Sequence, residues 1–235
     1  SGDSPSPLHN NCSGKHAGML LATRLMDAST AQYIAPEHPL QKLIRETVAD
    51  FAGIEPEDIP LGIDGCGVPA FYVSLYRAAF GYARLMASRE SANAPGALSR
   101  YAESSSRIVD AMTGQPKYVA GAWSMTTPLM EAFDGALLAK EGAEGFYAMA
   151  VSTTLANELA QRLDLADECA IGVAIKIHDG SMTRGRNPVV LKTLELLGID
   201  VASREGLRRY REWPLRNVAG TLVGEVRAEF ELNIL

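Results

Sequence analysis

Cysteine is scarce: three among 235 residues, an odd number. So few in a chain this long do not form the disulfide framework of a small secreted domain, which makes a reducing, cytoplasmic setting the expectation. No run of about 18 apolar residues occurs, which argues against a membrane-spanning helix. A basic tract is missing as well. The formal net charge is −6, and the nearest candidate, REGLRRYREWPLR, interleaves its arginines with acids, which argues against a nucleic-acid partner. Aromatics make up only 7% of residues, yet 47% are hydrophobic, enough to bury a sizeable core. The opening SGDSPSPL has no methionine and neither the charged nor the apolar region of a signal peptide, so the chain reads as a fragment or a processed form. Chemistry on a small-molecule substrate is the class that remains.

The apolar pattern alternates between helical and extended. From Ser13, a plausible N-cap, Met19, Leu20, Ala22, Leu25 and Met26 fall near one face of a helix. A second helix carries Leu40, Leu43, Ile44, Val48 and Phe51 and stops at Gly53, the residue type that favours a left-handed C-cap. A long helix with the stripe Phe71, Leu75, Ala78, Tyr82 and Leu85 follows, suited to a core or to a homodimer interface. A Ser/Ala/Gly-rich break at 88–96 precedes another helix over 98–112, and TGQPKYVAGAWSMTTPLMEAF reads as loop with a short helix. EGFYAMAVS, ECAIGVAIKIHDG and GTLVGEVRAEFEL read as strands, with a helix over 187–197 between the last two. The expected class is therefore α+β: one domain over 1–235, mainly helical over 1–135, with an antiparallel sheet and a C-terminal helix over 136–235.

Three stretches carry chemistry. In HNNCSGKHAGML, Cys12, Lys15 and His16 stand three and four apart where a helix begins, so they can converge on one point. A helix N-terminus lowers a thiol's pKa toward the reactive thiolate. Cys12 then serves either as a nucleophile activated by Lys15 or His16, or as a soft metal ligand. The plain alternative is a buried thiol, a solvated lysine and a core histidine. In GIDGCGVPAF, Asp64 and Cys66 sit between glycines in a turn; Cys66 could join Cys12 in a metal site, in a disulfide, or in neither. Cys169, in an apolar strand, reads as a core residue. In LLAKEGAEGF, Lys140 and Gly142 have the Lys-x-Gly form of an edge-strand lysine that faces a serine nucleophile, although a plain turn lysine before a hairpin takes this form far more commonly.

HNNCSGKHAGML, GIDGCGVPAF and KEGAEGFYAMAV, in this order, resemble the bacterial L-asparaginase II family, serine amidohydrolases with a β-lactamase and glutaminase-like fold. The resemblance implies that L-asparagine is hydrolysed to L-aspartate and ammonia through a serine acyl-enzyme. It implies zinc held by Cys12, Lys15 and Cys66 near the substrate, with His16 orienting the substrate, Asp64 contacting substrate or metal-bound water, and Lys140 in the catalytic cluster. The departures are specific. The family's nucleophile is a serine three residues before a lysine, and the residues three before the lysines here are Cys12, Pro39, Gly114, Leu137, Val173 and Val189. AGAWSMTTPLM also lacks the Arg and Asp that the family carries at that point. The expectation is a chain equivalent to the larger C-terminal part of such an enzyme, with its serine supplied from outside these residues. A cysteine amidase built on Cys12 and His16, and a non-catalytic zinc-containing binding module, stand as alternatives.

Overall fold

The computed structural model describes residues 2, 4–90, 96–165 and 169–233. The polypeptide divides into two compact units, residues 1–73 and 74–235. Positions 91–95 of the expected break lie outside the described residues.

The first unit is two helices and a small hairpin. Helix α1 (Ser13–Leu25) has Cys12 at its N-cap, so Ser13 is the first helical residue rather than the cap. Its covered face is also turned from the one expected. Cys12, His16, Met19, Leu20 and Thr23 point inward, a regular helical spacing, whereas Leu25 is 79% exposed. Helix α2 (Pro39–Ala52) starts on His38, whose Nδ1 accepts from the Leu40 N–H and whose Nε2 faces the Ser29 carbonyl at 2.8 Å. Pro39 fits the first turn because that turn needs no N–H. The helix ends at Gly53 in the left-handed region, as its glycine suggests. Strand β1 (Leu61–Ile63) pairs antiparallel with β2 (Pro69–Phe71). Phe71, expected on the long helix, belongs to β2 instead, because the GIDGCGV turn folds back into a hairpin.

The second unit is α+β. Helix α3 (Leu75–Glu90) and α4 (Ala102–Gly114) lead through the short α5 (Pro116–Ala120) and α6 (Thr126–Glu131) into a sheet. That sheet is antiparallel, with strands β3 (Leu137–Glu141), β4 (Phe146–Ser152) and β5 (Ala170–Lys176) in this order and helix α7 (Asn157–Arg162) between β4 and β5. Helices α8 (Arg186–Leu196) and α9 (Glu205–Arg208) follow, then β6 (Glu212–Arg216) and β7 (Leu222–Arg227).

Side chains alternate across the sheet, and each face has its own core. Leu137, Ala139, Tyr147, Met149 and Val151 pack with Leu129 and Met130 of α6 and Val190, Leu191 and Leu194 of α8. Leu138 and Ala150 point the other way, against Met86 of α3 and Val109 of α4. Helix α3 crosses β5 closely at Gly172: a Cβ there would stand 1.9 Å from the Ala79 carbonyl oxygen. Of the expected α3 stripe, Tyr82 and Leu85 pack against this second core, whereas Leu75 is exposed, and Tyr76 and Phe80 stack on the exposed side with their ring centroids 6.2 Å apart.

The C-terminal strand signal is placed differently from the expectation. Among the described residues β7 joins no larger sheet. It pairs with β6 as a separate two-stranded ribbon, exposed along nearly all of its length. Cys169 also departs from the core reading, since it directly precedes β5 and is only half-buried.

Candidate functional site

Two local structures bring the motif residues of the first unit together. At the start of α1, the Asn10 side chain accepts from the Cys12 N–H at 2.8 Å, which holds Cys12 at the helix mouth with Lys15 one turn on. In the hairpin, the Asp64 N–H donates to the Val68 carbonyl and the Gly67 N–H to the Asp64 carbonyl, each at 2.8 Å. Gly67 takes φ of +90°, a conformation open to glycine and costly for other residues. The Gly65 N–H donates to Asp64 Oδ1 at 2.7 Å. The turn therefore presents Asp64 and Cys66 side by side.

The four side chains meet. Lys15 Nζ donates to Cys66 Sγ at 3.3 Å and to Asp64 Oδ2 at 3.4 Å, and Cys66 Sγ donates to Asp64 Oδ2 at 3.5 Å. The two sulfurs and an Asp64 carboxylate oxygen all lie within 4.8 Å of one another. Cys12 and Cys66 are half-buried while Asp64 is open to solvent. Burial pulls the Lys15 pKa down, but the Cys66 hydrogen bond, the charges of Cys12 and Cys66 and the Asp64 bond outweigh it, so the ammonium is held above its ordinary range. The Gly65 N–H, then Lys15, then Cys66 keep the Asp64 carboxyl below the ordinary carboxylate range.

The donor set suits zinc. Two sulfurs and an amine, with a carboxylate beside them, are groups of the kind this ion binds, and three ligands leave its fourth tetrahedral position for water or substrate. With bonds of about 2.0–2.3 Å, ligand atoms on one tetrahedral zinc lie about 3.3–3.8 Å apart. Lys15 Nζ, Cys66 Sγ and Asp64 Oδ2 already stand 3.3–3.5 Å apart, and Cys12 Sγ lies within 4.8 Å of the other sulfur and the carboxylate. Lys15 has a further requirement, because it coordinates only as the neutral amine and must first give up the proton that its neighbours stabilise.

His16 faces a partner of its own. Its Nδ1 lies 2.5 Å from the Tyr33 hydroxyl, and the two rings meet edge to face at 89°. Tyr33 is in turn held through its carbonyl, which accepts from the buried Gln41 amide at 2.9 Å. Nothing in the local sequence AQYIAP marks Tyr33 as part of a site. The link arises only because the segment between α1 and α2 folds back on α1. Cys12 and His16, the pair a cysteine amidase would use, are joined only through the backbone among the described residues, the His16 N–H donating to the Cys12 carbonyl at 3.0 Å, and their side chains share no hydrogen bond.

In the second unit, Lys140 lies on β3, an edge strand among the described residues, in register with Ala148 of β4. Its Nζ donates to the Glu141 carbonyl at 2.7 Å. Lys140 thus occupies an edge strand as the Lys-x-Gly form suggests, followed by Gly142 as the chain turns toward β4.

No helix among the described residues is long and apolar enough to cross a membrane. Comparison with curated protein sequences gives no significant match. The model of the L-asparaginase II family matches residues 1–228, a span that takes in the Cys12, Lys15, Asp64 and Cys66 cluster as well as Lys140. The chain belongs to the L-asparaginase II family.

Proposed function

We infer that this chain is the main part of an L-asparagine amidohydrolase that releases L-aspartate and ammonia through a serine acyl-enzyme. The observation that carries the reading is the family match across 1–228. The serine is supplied from outside these 235 residues, since no lysine here has a serine three residues before it.

Zinc is the metal this reading assigns, with Cys12, Cys66 and Lys15 as its ligands. When bound it supplies a Lewis acid able to polarise or orient a substrate oxygen. The protein's own groups do the rest. Asp64, exposed beside the ligands and kept ionised, accepts a hydrogen bond from the substrate's ammonium or from a water. His16, tied at Nδ1 to Tyr33, keeps Nε2 as the nitrogen with which to orient substrate. Lys140 supplies positive charge to the oxyanion that forms when the serine attacks the side-chain amide; preorganised charge of this kind is usually the largest single contribution to such catalysis. Ammonia then leaves and water releases aspartate.

The test is ammonia release from L-asparagine by the enzyme that includes the serine, compared with its Lys140→Ala variant. Loss of turnover in a variant that keeps its parent melting temperature is the expected result. Turnover near the parent rate would remove Lys140 from the mechanism.

A further inference from the structure

Arg186 opens α8 with its side chain only 4% exposed. Its Nη2 donates to Glu141 Oε2 at 2.6 Å and approaches Asn187 Oδ1 at 3.4 Å. The guanidinium carbon stands 5.4 Å from the centre of the Tyr147 ring, and Nε and Nη1 find no hydrogen-bond partner among the described residues. A buried cation with one carboxylate against it is expensive to separate, because removing either partner strands the other charge away from water. Glu141 is thereby held firmly.

The position of Glu141 gives that hold a direction. It ends β3 opposite Tyr147 of β4, on the sheet face that packs against α6 and α8. Lys140, one residue earlier, points to the other face, and its Nζ donates to the carbonyl of this same Glu141. One residue therefore receives Arg186 through its side chain and Lys140 through its backbone. Arg186 is buried on the sheet face opposite Lys140. This anchor adds to the β4 ladder at the end of an edge strand that is followed at once by Gly142.

We propose that Arg186 and Glu141 are positioning residues for the reaction, an ion pair that fixes the end of β3 and with it the Nζ of Lys140. The inference rests on Lys140 as the catalytic lysine proposed above. Active-site groups must be held within about 0.5 Å of their productive geometry, and a displacement of about 1 Å can cost on the order of 100-fold in rate.

The experiment uses Arg186→Met, Glu141→Gln, the two combined, and Arg186→Lys. Lys140 is labelled with an amine-selective reagent and read peptide by peptide against Lys42, on α2. Turnover is measured in the enzyme that includes the serine. The expected result is a changed labelling rate at Lys140 and a parent rate at Lys42 in both single variants, with kcat down by about 10- to 100-fold and KM near the parent value. Arg186→Lys should restore part of both. If a single variant fails to fold, the combined variant, which buries no unpaired charge, carries the same expectation. Parent labelling of Lys140 in any folded variant without the ion pair would overturn the proposal. So would altered labelling with parent kcat. If Lys140→Ala itself left turnover intact, the catalytic reading would fail, while the labelling would still report whether the pair holds Lys140.

Discussion

Replacing Lys15 with methionine should change how many protons zinc displaces, and by a countable amount. In the metal-free chain the Lys15 ammonium lies 3.3 Å from Cys66 Sγ and 3.4 Å from Asp64 Oδ2, and its hydrogen bonds and charge interactions with these neighbours hold its pKa above the ordinary lysine value despite the opposing effect of burial. A raised pKa means that the proton is held at every pH across the neutral range. Zinc taking Nζ must therefore expel one whole proton from Lys15, besides those it takes from thiols. The pH slope of apparent affinity equals the number of protons released, and each proton is worth about 1.36 kcal/mol, or tenfold, per pH unit. Lys15→Met should thus release one proton fewer than the parent and have an affinity that climbs about tenfold less steeply per pH unit. Calorimetric zinc titrations in buffers of differing protonation enthalpy, at two neutral pH values, count the protons directly. Equal proton release by parent and variant would refute Lys15 as a ligand and leave Asp64, already grouped with the two sulfurs, as the third donor.

Three further outcomes test the fold and its electrostatics. Gly172→Ala should destabilise the second unit by about 1–3 kcal/mol or more, because its new methyl would meet the Ala79 backbone carbonyl at 1.9 Å; an unchanged melting temperature would contradict the close crossing of α3 over β5. Burial pushes the Tyr82 phenol up to about 12 from 10.0, so the folded chain holds this proton more tightly than the unfolded one. The stability tied to Tyr82 is then complete below about pH 10 and is lost as pH rises toward about 12, and Tyr82→Phe should remove one late-titrating phenol from an ultraviolet titration. Tyr33→Phe, which deletes the hydroxyl facing His16 Nδ1 and leaves the ring, should lower turnover with little change in melting temperature; parent kinetics would exclude Tyr33 from orienting His16.

What was legible in the sequence was what local chemistry dictates. Helix α2 shows both its apolar period and its stop, since Gly53 takes a left-handed conformation that glycine adopts without strain. The spacing of Cys12 and Lys15 requires only a helix to bring them onto one face. Cys66 and Asp64 were harder, because no local rule says that a turn about fifty residues later folds onto that helix mouth. Tyr33 left no trace, as its contact with His16 depends on the path of the segment between two helices. The inward face of α1 was misjudged for a related reason. The apolar residues of this helix, Leu21 and Leu25 included, run around more of its circumference than the first unit covers. Strand β6 was missed because EWPLR, with charged ends and a proline, looks like a loop until β7 supplies its hydrogen-bond partners. Nothing in the local sequence marks Arg186, and only the packing of α8 against the sheet makes it a buried charge.

The account stands or falls on asparagine hydrolysis, measured as ammonia release from L-asparagine by the folded 235-residue chain, alone and joined to a segment carrying the S-x-x-K serine. It predicts no release by the chain alone and turnover once the serine is joined. Release by the chain alone would place a nucleophile within these residues, and silence from both would contradict the amidohydrolase reading itself.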